Sequence, residues 1–154
     1  MSRQEESRKE TGFVADYLLY LLAAASEYAS AEFHRQVRKS GLRVPEWRVL
    51  AGLYDCDGLM VTELARISLY EQSRLTHIIA QMEKRGLVRR GSDPEDLRRV
   101  RVNLTVEGRK VAEQLVKKAR VHEDNLLRAL QDGDSSRLKP ALRDLLFKLD
   151  TQSL

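Results

Sequence analysis

Apolar residues in the middle of the chain recur at helical spacing. Leu75, Ile78, Ile79 and Met82 fall at i, i+3, i+4 and i+7, so one stripe of a helix can bury against a core. The opposite face, with Ser73, Arg74, His77, Gln81 and Lys84, is polar, and no carboxylate lies between Gln72 and Met82. Gly86 sits where a helix stops in the left-handed conformation, and Leu87 can make the hydrophobic contact that accompanies such a stop. Residues 87–90 and 99–104 then read as two short strands, the second alternating polar with apolar residues at period two. Between them, residues 91–98 are rich in turn formers, so the product is a hairpin with a charged tip.

The flanks are helical. Residues 11–39 lack proline and hold Gly12 as their only glycine, while Val14, Leu18, Leu21, Leu22, Ala25, Tyr28 and Ala29 recur at helical spacing up to a Ser40-Gly41 stop. One continuous helix of that length spans roughly 43 Å. Pro45 suits the first turn of a second helix, which closes at Asp57-Gly58. Thr62 is a cap for a short third helix, and Thr105 is a cap for a long one reaching about Gln131. Asp132-Gly-Asp134 breaks the chain before a last helix with Leu138, Leu142, Leu145, Leu146 and Leu149. Ser68-x-x-Glu71 matches a capping box. From the residues alone the start of the next helix stays open.

Two helices, a tight turn and a hairpin over residues 61–104 form the pattern of a winged helix-turn-helix. A helix pushed into a groove lined by phosphates needs a face free of carboxylates, although an ordinary amphipathic surface helix shares the apolar stripe. Charge separates these readings. From Lys84 to Arg101 there are seven basic residues (Lys84, Arg85, Arg89, Arg90, Arg98, Arg99, Arg101) against three acidic ones (Asp93, Glu95, Asp96). That local +4 equals the formal charge of the whole chain, so the surplus is gathered on one unit, as an electrostatic footprint for nucleic acid requires.

Several fragments occur together in register: Pro45-Glu-Trp-Arg-Val-Leu50, Thr62-Glu-Leu-Ala65, Ser73-x-x-Thr76, Glu83-Lys-Arg-Gly-Leu-Val88, Asp93-Pro-Glu-Asp-x-Arg98 and Leu104-Thr-x-x-Gly108. Over about residues 10–150 the chain resembles the MarR (multiple antibiotic resistance regulator) family of bacterial transcription factors. The resemblance implies a dimeric, mostly helical repressor with a recognition helix in the major groove and a wing arginine in the minor groove. By it, the recognition helix starts one turn later than the Ser68 capping box would place it, Ser73 and Thr76 match polar recognition-helix sites, and Arg98 matches the wing-tip arginine, with Asp96 as its acid. His77 stands where arginine is commoner in the family, so its charge there depends on protonation.

The residues themselves support physical roles. Arg98 lies in a turn, and its planar guanidinium fits a narrow minor groove of high negative potential; the alternative is a solvated arginine paired with Asp96. Arg74 projects from the first turn of the recognition helix, beside Gln72, where a side chain can reach guanine bidentately. Arg89, Arg90, Arg99 and Arg101 suit phosphates better than base edges.

The expected fold is mainly α with a small β-hairpin wing: residues 45–104 as the winged helix-turn-helix, with helices over residues 11–39 and 105–151 for dimerisation. The Leu-rich ends carry more apolar surface than one small subunit can cover. Pairing two copies there sets two recognition helices one DNA turn apart, about 34 Å, and makes the target a palindrome of roughly 16 to 20 base pairs.

Composition narrows the classes. At 154 residues, with 42% hydrophobic residues, the chain suits one domain or one domain plus a dimerisation arm. No stretch approaches ~20 uncharged apolar residues, so no membrane partner is expected. Residues 1–10 are charged throughout and read as a frayed end rather than a secretion signal. Cys56 is the only cysteine, which excludes an internal disulfide and suits a reducing cytoplasm; it is expected to pack at the end of the second helix. The three histidines (His34, His77, His122) lack the i, i+4 spacing of a helical metal site, and no phosphate loop or nucleophile elbow occurs. Catalytic residues, metal ligands and cofactors are therefore not expected. A winged-helix module for protein contacts, or a redox- or metal-responsive regulator, is the alternative.

For an effector, Tyr20 and Tyr28 on the first helix and Trp47 on the second suit a cleft where, by the resemblance, small phenolic or aromatic molecules bind; three core aromatics are the plainer reading. Arg35, Arg38, Lys39 and Arg43 crowd the end of the first helix. Cations there complement the helix dipole, and Arg38 is a candidate for an aromatic carboxylate or a coenzyme A thioester.

Overall fold

The computed structural model describes residues 12–130 and 133–151. The elements run α1 (Phe13–Asp16), α2 (Leu18–Lys39), α3 (Val44–Asp55), β1 (Leu59–Met60), α4 (Val61–Ser68), α5 (Gln72–Lys84), β2 (Val88–Ser92), β3 (Val100–Leu104), α6 (Val106–Arg128) and α7 (Asp134–Thr151). The expected fold class is observed: the chain is mostly helical, with a small antiparallel sheet.

That sheet has the order β1-β3-β2. Val88 pairs with Leu104 and Ser92 with Val100, so the hairpin extends two residues past the strand read from sequence. β1 was not anticipated; Leu59 and Met60 are too short a run for periodicity to register, and they pair with Val102 and Arg101. Along β3 the expected alternation holds at Val102 and Leu104, which are buried, and fails at Val100, which shares their face but is exposed.

The core lies among α3, α4, α5 and the sheet, with Val49, Leu50 and Leu53 meeting Leu64, Leu75, Ile79 and Met82 out of solvent. Phe33 and Val37 of α2 and Ala112 and Leu115 of α6 are buried as well. Gly52 of α3 is buried against α4, where a Cβ would meet Leu64 and Ile67 at an ordinary contact distance of 3.5 Å.

Several boundaries differ from expectation. The first helix is not continuous: Tyr17, with ψ 119°, separates α1 from α2. Phe13 and Tyr17 stack at 4.9 Å across a break that no proline or glycine marks. Thr11 lies outside the described residues, as do residues 1–10. Thr62 is not a cap, because α4 starts a residue earlier and the Glu63 carboxylate accepts the Met60 amide at 2.8 Å. Nor does Ser68 open a capping box. It ends α4 with its hydroxyl donating to the Leu64 carbonyl, and α5 begins at Gln72, the later of the two boundaries.

Other signals are as read. Gly86, at φ +71°, ends α5: its amide donates to Glu83 O at 3.0 Å and the Leu87 amide to Met82 O at 3.0 Å, the paired bonds of a Schellman stop. Gly41, at φ +77°, ends α2 in the same way. Thr105 caps α6, its hydroxyl oxygen accepting the Gly108 amide at 2.9 Å. α6 ends at Arg128; Gln131 and Asp132 lie outside the described residues.

The chain divides into two units, Met1–Val116 and Lys117–Leu154. The second holds the end of α6 and all of α7, with Lys139 and Glu123 paired at 2.6 Å. Its apolar side chains, among them Leu138, Leu142, Leu146 and Phe147, stay exposed. No described helix is long and apolar enough to cross a membrane.

Candidate nucleic-acid interface

Burying Leu75, Ile78, Ile79 and Met82 fixes the rotation of α5. Gln72, Ser73, Arg74, Thr76, His77, Gln81 and Lys84 are consequently all exposed, on a surface without a carboxylate until Glu83. The Thr76 hydroxyl donates to the Gln72 carbonyl at 2.9 Å, so its lone pairs remain free to accept. Glu71 precedes the helix without a side-chain bond to it, which leaves the first amides of α5 for water or a phosphate. The Arg74 guanidinium lies over the Tyr70 ring, 4.7 Å from its centre, and that of Arg48 at 5.3 Å.

The wing is braced where its loop begins. Asp93 is buried and accepts the Glu95 amide at 2.9 Å and Arg101 Nε at 2.9 Å, while Arg101 Nη1 donates to the Gly58 carbonyl at 2.8 Å. These bonds stabilise the ionised form: the Glu95 amide and then the Arg101 guanidinium hold the Asp93 carboxyl below its ordinary value against the opposing effect of desolvation. At the tip, Asp96 accepts the Arg98 amide at 3.1 Å. The ion pair considered between Asp96 and Arg98 runs instead to Arg99, at 3.4 Å. With its acid engaged by the neighbour, the exposed Arg98 guanidinium has no ion pair among the described residues.

The basic surplus is smaller than the sequence count, because carboxylates outside the counted window neutralise part of it. Arg90 is paired with Glu83 at 2.8 Å, and Arg85 with Glu46 at 2.9 Å. Among the described residues, Lys84, Arg89 and Arg98 keep their charge without an internal counter-ion, as does Arg74. Arg90 and Arg101, read from sequence as phosphate contacts, carry structural tasks.

Sequence reasoning missed Glu46, a buried carboxylate bonded to the Arg85 that follows α5. It accepts the Arg43 amide at 2.8 Å and Arg85 Nη1 at 2.9 Å, and Arg85 Nη2 reaches the Gly41 carbonyl at 2.8 Å. Arg43 also donates to Gln81 on the exposed face of α5. Burial pushes the Glu46 carboxyl up, but the bonds from the Arg43 amide, Arg85 and the Arg43 side chain outweigh it and hold the group below its ordinary value. The local signal was a Glu one residue after Pro45 in a first helical turn; its partner Arg85 is 39 residues away.

Gly108 was legible only as part of a motif. A Cβ there would lie 1.9 Å from the Leu87 carbonyl oxygen, so α6 can cross the root of the wing only over a glycine.

The candidate effector residues do not gather into one ring cluster. Tyr20 and Tyr28 are exposed on α2, whereas Trp47 packs edge-on against Phe33 at 5.2 Å. Arg38 is exposed; with Arg48, and after burial itself, it lowers the pKa of His34. Cys56 follows α3 and is exposed rather than packed. The described residues hold no cluster of three or more His, Cys, Asp or Glu placed for a metal.

A mostly helical chain with a helix-turn-helix, a three-stranded wing and a cationic exposed helix face defines a winged helix-turn-helix protein. The MarR family model matches residues 42–100. The crystal structure of the MarR family transcriptional regulator SPO1453 from Silicibacter pomeroyi DSS-3 is similar over 90% of this chain and 99% of that one, with 57% identity and a TM-score of 0.83. The HTH-type transcriptional repressor IacR of Pseudomonas putida is 28% identical over 147 residues, 96% of this chain and 85% of that protein. NadR, in its crystal structure with 4-hydroxyphenylacetate, is 28% identical over 80% of this chain and 88% of its own, with a TM-score of 0.73. The chain belongs to the MarR family of transcriptional regulators.

Proposed function

We propose that the protein is a homodimeric repressor that grips a palindromic operator with α5 in the major groove and the wing in the minor groove, and releases it when a small aromatic acid or its coenzyme A thioester binds. The observation that carries this reading is the exposed face of α5, free of carboxylates from Gln72 to Met82, together with a wing tip whose Arg98 has no counter-ion among the described residues. Gln72, Ser73, Arg74, Thr76 and His77 face base edges, Arg98 enters the minor groove with Asp96 ordering its turn, and Arg89 and Arg99 reach phosphates. Residues 45–104 serve as the reading head, and residues 11–39 and 105–151 supply the two-fold interface. Tyr20, Tyr28, Trp47 and Arg38 meet the effector, which releases DNA by binding the incompetent arrangement more tightly. The repressor and the 4-hydroxyphenylacetate complex among its relatives support this assignment of class.

Fluorescence anisotropy on duplexes selected from a random pool, repeated across a salt series, tests the reading. Affinity falls steeply with salt because binding releases counterions, and Arg98→Ala weakens every duplex by a similar factor while reducing the logarithmic salt slope by about 1. Arg74→Ala relaxes preference at one base pair. A salt-insensitive interaction, or an Arg98→Ala protein of unchanged affinity, overturns the wing assignment. A thermal-shift series with aromatic acids and their thioesters tests the effector class, since a ligand of the folded dimer raises Tm.

A further inference from the structure

We infer that Tyr70 is a positioning residue for sequence recognition: its ring, held in the turn between α4 and α5, fixes the Arg74 guanidinium before DNA arrives. The inference rests on the reading of Arg74 as a base-contacting side chain.

The turn itself is tightly determined. Leu69 adopts the left-handed conformation, φ 59° and ψ 41°, and the Tyr70 amide donates to the Ala65 carbonyl at 3.1 Å. The ring that follows is half-buried. Arg48 reaches it from α3, with Nη1 donating to the Ser68 carbonyl at 3.3 Å and Cζ at 5.3 Å from the ring centre. Arg74 reaches it from α5 at 4.7 Å, and both guanidinium groups are within the ~6 Å range of a cation–π interaction.

Among the described residues the Arg74 side chain has no ion pair or hydrogen bond. It borders an open hollow of ≈ 420 Å³ with Ala65, Arg66, Leu69, Tyr70 and Glu71, so packing does not confine the side chain. Although Glu71 lines the same hollow, no ion pair joins it to Arg74. The distinction matters chemically. A carboxylate partner would occupy the edge of the guanidinium and neutralise it, whereas a ring beneath its face leaves the charge and all the N–H donors available to guanine O6 and N7. Ordering the side chain in advance also removes part of the entropy otherwise lost on binding.

The test combines Tyr70→Leu, Tyr70→Phe, Arg74→Ala and the double variant Tyr70→Leu/Arg74→Ala, each titrated against the selected operator and its single base-pair substitutions. Circular dichroism and Tm confirm folding, with Tyr70→Met standing in should the leucine variant not fold. Tyr70→Leu is expected to weaken the selected operator about 3- to 10-fold, the effect of releasing one immobilised side chain, and to flatten the same base-pair preference as Arg74→Ala. In the double variant the tyrosine change adds less than about two-fold, because two residues acting through one contact are not additive. Tyr70→Phe keeps the ring and stays within about two-fold of the parent. NMR of the Arg74 Nε–H group gives a readout apart from DNA, its order parameter falling in Tyr70→Leu but not in Tyr70→Phe. A Tyr70→Leu loss spread evenly over all duplexes, with the base preference conferred by Arg74 intact, overturns the inference alone. Arg74→Ala leaving every base preference unchanged overturns the reading beneath it, and the inference with it.

Discussion

The reading head and the chain ends use the same apolar residue types to opposite effect. In α5, Leu75 and Ile79 are 0% exposed, whereas in α7 Leu146 and Phe147 are 66% and 69% exposed, and Leu18 near the start of α2 is 57% exposed. The head closes its core within one chain because three helices and a sheet converge on it. At the ends such side chains stay exposed among the described residues, and apolar surface left in water forgoes roughly 25 cal/mol per Å². An apolar stripe is thus a demand for a partner, met in the head by tertiary contacts and, in the proposed dimer, by a second copy at the ends.

The comparison is most sharply tested at the ends. Leu142→Glu with Leu146→Glu places four carboxylates in the proposed interface of a dimer, a penalty of more than about 5 kcal/mol, while leaving the head folded. Light scattering should show a monomer, with the amide spectrum of the head largely retained; a dimer that survives both changes removes the assignment of α7 to the interface. Where α6 crosses the root of the wing, Gly108→Ala is expected to destabilise by about 3 kcal/mol in urea unfolding, since Cβ meets the Leu87 carbonyl oxygen at 1.9 Å. Helix propensity alone predicts the opposite sign, by about 1 kcal/mol, so the direction decides between them.

Glu46→Gln comes next, at about 2 kcal/mol near neutral pH, from weakened charge-assisted bonds to Arg43 and Arg85. Its carboxyl titrates below its ordinary value of 4.5, so its contribution is complete above that pH and is lost as pH falls toward the folded value. Unfolding measured from pH 7 to pH 3 should therefore decline less steeply below about pH 4.5 in the glutamine variant than in the parent. The smallest effect is favourable. Leu69→Gly relieves a left-handed leucine whose side chain is 79% exposed, and should raise stability by about 1 kcal/mol. A lowered Tm would show instead that the Leu69 side chain supports the turn.

Features that depend on neighbours along the chain were legible before the structure. The stripe of α5, the stops at Gly41 and Gly86, the Thr105 cap and the hairpin follow from helical and strand periods and from backbone freedom at glycine, all properties of a few consecutive residues. The misread boundaries had local rivals that only packing could decide: Ser68 bonds back to Leu64 instead of forward, and Glu63 rather than Thr62 secures the start of α4.

What the amino-acid order determined by itself was the kind of elements, their sequence and the concentration of positive charge between Lys84 and Arg101. Which of those charges remain available was settled only in three dimensions. Arg85 found Glu46, Arg90 found Glu83, Arg99 took Asp96 and Arg101 took Asp93, leaving Lys84, Arg89 and Arg98 without internal counter-ions among the described residues. The reason is physical: a helix or strand period repeats within a few residues. A counter-ion is selected by distance in space, which chain separation does not encode.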